Sequence, residues 1–102
     1  MSTDDKSQWW LATLGRTVVW ARLRVLDAGT AEVFDSDGNT LPYDSEDSAR
    51  AALMDAEFTA LDGMDEDDAA SRGLSLEELI PPQADDDGQL RERMVQKLPA
   101  RR

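Results

Sequence analysis

The sequence predicts an α+β fold: a three- to four-stranded antiparallel β-meander over about residues 8–43, packed by one main helix at about 45–61, with short helical segments after it. Two observations carry this. Up to Tyr43 the apolar residues alternate with period two and are broken by glycine-containing turns, the pattern of antiparallel hairpins. From Ser45 the period changes to 3.6, the pattern of an amphipathic helix.

Gln8 to Leu14 is rich in strand formers, and Gly15-Arg16 can reverse the chain. Thr17 to Leu26 is the clearest strand. Val19, Ala21, Leu23 and Val25 share one face, while Val18, Trp20, Arg22, Arg24 and Leu26 share the other. Asp27-Ala28-Gly29 turns the chain into Thr30–Phe34, and Asp35-Ser36-Asp37-Gly38-Asn39 turns it again into Thr40–Tyr43. Pro42 has no N–H to give to a ladder, which places this last strand at a sheet edge.

Asp44 or Ser45 suits an N-cap. Ala49, Ala52, Leu53, Ala56 and Ala60 then fall on one helical face, with Gly63 expected to close the helix as its C′ residue. Asp65 to Asp68 supply acidic groups to a second helical start, where they meet the positive end of the helix dipole. Ser75-Leu76-Glu77-Glu78 has capping-box spacing, and Pro81-Pro82 must stop the turn it begins. Leu74, Leu76, Leu79 and Ile80 are expected to dock this region on the body. The domain is thus expected at 1–80, with residues 1–7 frayed and 81–102 forming an acidic linker and a basic amphipathic tail.

Composition bounds the chemistry. The chain has 102 residues, 11 Lys+Arg against 22 Asp+Glu, a net charge of -11, and neither cysteine nor histidine. That removes disulfides, thiolate or imidazole metal ligation, cysteine nucleophiles and serine–histidine triads. No apolar run approaches the ~20 residues of a membrane span, and Met1–Lys6 has no signal-peptide core. A cytoplasmic protein is expected. The charge is segregated: residues 1–34 are neutral, 35–88 carry seventeen acids against two bases, and 89–102 carry five bases against one acid.

Three acidic motifs have plain structural explanations. Asp35–Asn39 offers oxygen ligands, but Gly38 stands fourth where a calcium loop of the EF-hand type needs glycine sixth, so a hairpin turn fits better. Asp65–Asp68 and Asp85–Asp87 read as a solvated helix start and a solvated linker. No cofactor and no enzymatic activity are expected, since a chain this small leaves little room for a substrate cleft and has no group to activate Ser45 or Ser75.

The candidate partner-binding residues are Trp10, Trp20, Arg22, Arg24, Leu90, Met94 and Leu98. Trp20 with Arg22 and Arg24 forms an aromatic and arginine face of the kind enriched at binding hot spots, provided later segments do not cover it. One of the adjacent Trp9 and Trp10 must face away from the core. Leu90, Met94 and Leu98 form one helical stripe that would insert into a partner groove or clamp onto the acidic body.

The expected function is a small acidic protein-interaction module, an adaptor or regulator without catalysis. A protein partner is expected, with no direct nucleic-acid contact and no membrane contact, and an exposed sheet edge would permit a homodimer. The alternative is an acidic inhibitor that imitates nucleic acid. Its weakness is density: Glu46, Asp47, Asp55 and Glu57, offset by Arg50, would be spread along a helix of about 25 Å.

Overall fold

The computed structural model describes residues 6–98. The elements are β1 (Lys6–Leu14), β2 (Thr17–Val25), β3 (Ala31–Phe34), β4 (Thr40–Tyr43), α1 (Glu46–Asp55), β5 (Thr59–Ala60), α2 (Glu66–Ser71), a 3-10 turn (Leu76–Glu78), α3 (Asp87–Arg93) and β6 (Val95–Lys97). The sheet is antiparallel throughout and runs β4-β3-β2-β1-β5, with β6 added to β2. The expected meander is therefore present as β1 to β4, with Pro42 on the edge strand, and two short strands extend it.

Turn chemistry sets the register. Gly15, at φ 62°, leads a two-residue hairpin that pairs Leu14 with Thr17. The next two turns share one geometry: Gly29 and Gly38 both sit at φ 87°, and their N–H groups donate to the carbonyls three residues back. In the second of these turns Asp35 Oδ1 accepts from the backbone N–H of both Asp37 and Asn39, at 3.0 Å each. That carboxylate braces the turn.

Both faces of the sheet are covered. On the first, α1 lays Ala49 and Leu53 over Trp10, Ala21, Leu23 and Val33. Ser45 caps the helix by accepting from Ser48 N at 3.1 Å. Gln8 ties it down: its Nε2 donates to Glu46 at 2.7 Å, and its Oε1 accepts from Arg50 at 3.0 Å and from Trp10 at 3.3 Å. The Arg50 guanidinium lies 5.1 Å from the Trp10 ring centroid.

On the second face Leu11, Val18, Trp20 and Phe34 are buried by Met64, Ala69, Leu74, Leu79, Leu90 and Met94. The condition set for an open Trp20 face, that later segments leave it uncovered, is not met. Trp20 is 0% exposed, its indole N–H donates to Gln96 Oε1 at 3.0 Å, and its ring meets Trp9 edge-on at 5.9 Å. The N–H of Trp20 donates to the carbonyl of Met94 at 2.8 Å. Arg16 closes the far end, donating to both Glu78 carboxylate oxygens, the shorter bond at 2.6 Å, and to the Gly73 carbonyl at 2.7 Å.

Residues 81–98 are integral to this layer, where a linker and a tail were expected. Leu90 and Met94 enter the core, and β6 pairs Val95 with Val19 and Lys97 with Thr17. The first five residues of the expected frayed start, and residues 99–102 of the expected tail, lie outside the described residues. Ser7 belongs to β1. Ile80, expected to dock, is exposed.

The main helix also ends early, at Asp55 and not near 61. Ala56 is the C-cap, Glu57 takes φ 69°, and Phe58 N donates to the Leu53 carbonyl while Glu57 N donates to that of Met54. This is a Schellman closure with glutamate where glycine is usual, so the C′ role falls to Glu57 and Gly63 lies beyond it. Phe58 and Thr59 favour extended backbone, and β5 follows at once. The shortened helix does not reach Val19, which is only half-buried.

Two stability predictions follow from this packing. Met94→Ala should cost about 2–5 kcal/mol, read as a lower urea midpoint, because it empties a fully buried site. Glu57→Gly should raise stability by about 0.5–1 kcal/mol in the same assay, by relieving left-handed backbone at a residue with a Cβ.

Candidate functional site

The aromatic and arginine face divides into a buried part and an open part. Trp10 lies under α1, and Trp20, Leu90 and Met94 lie under the second layer, so none of these four offers an exposed surface. Leu98 is half-buried against the same layer, with its N–H donating to the Arg16 carbonyl at 2.9 Å. Of the seven expected residues, Arg22 and Arg24 come to one groove, with Leu90 in its wall, and Trp10 borders another from beneath.

The groove arises from strand register. On the second face Arg22 stands between Trp9 of β1 and Phe34 of β3, and Arg24 stands between Ser7 and Glu32. In the covering layer Pro82, Gln83, Ala84 and Leu90 border this end of the sheet. A depression of about 430 Å³ is left between these residues and the strip formed by Ser7, Trp9, Arg22 and Arg24.

Both guanidiniums are poorly matched to their surroundings. Arg22 stacks on Phe34, 5.2 Å from the ring centroid, and approaches Asp87 at 3.5 Å. Arg24 approaches Glu32 at 3.7 Å. These are long beside the 2.6 Å contact of Arg16 with Glu78. The Nε atoms of Arg22 and Arg24 are buried without a hydrogen-bond partner among the described residues. The Arg22 side chain is 13% exposed and that of Arg24 33%.

A second groove, not anticipated from the residue pattern, lies on the other face. Trp10, Arg50, Met54, Phe58, Thr59 and Gly63 line about 250 Å³ beside the end of α1. Met54 is 56% exposed there. Exposed carboxylates of Asp55, Glu57 and Asp62 belong to the same stretch of chain. The early end of α1 creates this groove, because it turns Phe58 and Thr59 toward the sheet edge; a helix continuing to 61 would have filled it.

Among the described residues no group of three or more acidic side chains is arranged to hold a metal ion, and no helix is long and apolar enough to cross a membrane.

Arg22→Met should be neutral or stabilise the fold by up to about 1 kcal/mol in urea unfolding. It keeps the stem against Phe34 and removes a largely buried charge whose hydrogen bonds are incomplete. A loss above about 2 kcal/mol would show that Arg22 is held by its long contact with Asp87 after all.

No family model matches the chain, and neither a curated protein nor a solved structure matches it, so no function is carried over from a relative.

Proposed function

We propose that this chain is a non-catalytic protein-interaction module, an adaptor or regulator, that engages a basic partner surface through the acidic end built from the close of α1, β5 and the start of α2. One observation carries the reading. Residues 55–68 place seven carboxylates, Asp55, Glu57, Asp62 and Asp65 to Asp68, all exposed, and no lysine or arginine occurs from 51 to 71. Among the described residues none of the seven forms an ion pair.

The backbone beneath these charges is fixed. The Schellman closure holds Glu57, β5 pairs with β1, and Met64 is buried. Asp65 Oδ1 accepts from Asp68 N at 2.9 Å, and Asp68 Oδ2 accepts from Asp65 N at 3.4 Å. Such a surface steers a cationic partner and fixes its register, and the apolar groove beside Met54 and Phe58 supplies a short-range contact. Trp20 and the Leu90–Met94 stripe, being in the core, do not contribute to this reading.

The same fixed placement supports a second reading, in which the acidic end occupies the nucleic-acid site of a basic protein. Both readings meet in one affinity capture from native extract. The full chain is compared with the double variant Glu66→Lys/Asp67→Lys, which leaves the capping pair Asp65 and Asp68 intact. A partner is expected at low salt and lost near 1 M salt, where the Debye length falls to about 3 Å, and the variant should not retain it. Retention by the variant would sink both readings. Displacement of the partner by duplex DNA would favour the second.

A further inference from the structure

We propose that the groove between Arg22, Arg24 and Trp9 on the sheet and Pro82, Ala84 and Leu90 in the covering layer binds a small anionic ligand that joins a carboxylate or phosphate to a flat apolar group. The site is distinct from the acidic end and does not depend on that reading.

The donors come first. Arg22 and Arg24 are two residues apart on one strand, so their Cα atoms lie about 6–7 Å apart and their side chains leave the same face. Each guanidinium has five N–H donors in a planar fork suited to an oxyanion. The only hydrogen bond recorded among the described residues for the pair is from Arg22 to Asp87 at 3.5 Å, the outer limit of such a bond. Among the described residues both Nε groups are buried without a hydrogen-bond partner.

A purely structural origin for this pair is hard to reconcile with the rest of the chain. Acids outnumber bases two to one, 22 to 11, yet among the described residues no carboxylate ion pair closer than 3.5 Å is formed by either group. Four other arginines, Arg16, Arg50, Arg72 and Arg93, donate at 3.0 Å or less, and the one further described arginine without such a bond, Arg91, is an exposed residue. Two half-satisfied cations side by side under a partial roof are a stability cost, and local rules are broken in this way where a ligand completes the set.

The remaining surface sets the ligand's other half. Trp9, Pro82, Ala84 and Leu90 are apolar, and Ser7 adds a hydroxyl at the Arg24 end. The depression of about 430 Å³ is open to solvent and has room for a small molecule held against the sheet. The net charge of -11 repels anions at long range. Affinity must therefore come from short-range hydrogen bonds together with apolar contact, and a bare anion lacks the second.

The experiment uses the full ¹⁵N-labelled chain and follows the Trp9 indole N–H and the Nε–H groups of Arg22 and Arg24 by NMR. Four probes are titrated: benzoate, phenyl phosphate, inorganic phosphate and benzyl alcohol. Benzoate or phenyl phosphate should give saturable shifts at these three groups, with affinity on the order of millimolar for so few atoms, and whichever binds tighter identifies the oxyanion. Inorganic phosphate and benzyl alcohol should bind at least tenfold more weakly. Arg24→Gln should weaken binding at least tenfold, with Arg24→Lys between it and the native chain. Asp87→Asn, at a 63% exposed side chain, removes the competing carboxylate and should tighten binding severalfold. The proposal is overturned if neither aromatic anion gives saturable shifts at the three groups. It is equally overturned if affinity is unchanged in both Arg24→Gln and Asp87→Asn, and Asp87→Asn decides alone should Arg24→Gln fail to fold.

Discussion

Strand β2 has one edge paired along its whole length with β1, while its other edge is shared. Arg22 to Val25 pair with β3, and Thr17 to Val19 pair with β6. Trp20 stands between the two. Its backbone N–H is satisfied by Met94 and its indole N–H by Gln96, both from the last described stretch of the chain. A buried indole without a partner costs about 1–3 kcal/mol, so the largest side chain of the second core is compatible with burial only when residues 94–96 are in place. The position of α3, and with it the placing of Leu90 and Asp87 around the arginine groove, depends on that closure.

The two faces are held by different means. The first is a conventional amphipathic layer, in which a ten-residue helix buries Ala49 and Leu53 on the sheet and Gln8 serves as a polar hinge pin between strand and helix. The second is assembled from short pieces, none long enough to be stable alone: a six-residue helix, a 3-10 turn, a seven-residue helix and a three-residue strand. Their stability comes from burying Ala69, Leu74, Leu79, Leu90 and Met94 on the Val18–Trp20 face, and from the Arg16 clamp at the hairpin tip. No polar or charged residue is fully buried among the described residues, so the two cores are apolar and the polar work is done at their margins.

The meander was legible because its signals are local: alternation along β2, Asp-Gly and Ala-Gly turns, proline on the edge strand. Ser45 and Glu78 were legible as capping residues for the same reason, whereas Asp65 was legible only as one of the acids at a helix start. What the sequence hid was tertiary. The α1 pattern of alanines continues to Ala60, and only the cross-strand pairing of Thr59 with Leu11 and the left-handed Glu57 reveal where the helix stops. Leu90 and Met94 do share a helical stripe, but Leu98 packs against the core from just beyond β6, because pairing with β2 overrides helical periodicity after Met94. The fate of Trp20 could not be read from its own strand. Its neighbours Arg22 and Arg24 suggested a solvent face, and the segment that covers it lies more than seventy residues away. Arg22 and Arg24 stand out in the sequence by residue type and shared strand face, whereas the incompleteness of their hydrogen bonding is visible only in three dimensions.

The pairing of β6 with β2 also constrains how the chain is made. During synthesis β1 to β4 and α1 emerge first, and the first face can close while the rest is still being added. The second face, with Val18, Trp20 and Phe34, stays incompletely covered until residues 90–97 have left the ribosome. For that interval the nascent chain displays an aromatic patch next to the uncapped half of the β2 edge, the features that invite mispairing with a neighbouring chain. The cell must therefore shield that patch or complete the chain quickly, and variants that weaken closure by residues 90–97 should lower the yield of soluble protein more than their equilibrium stability alone implies.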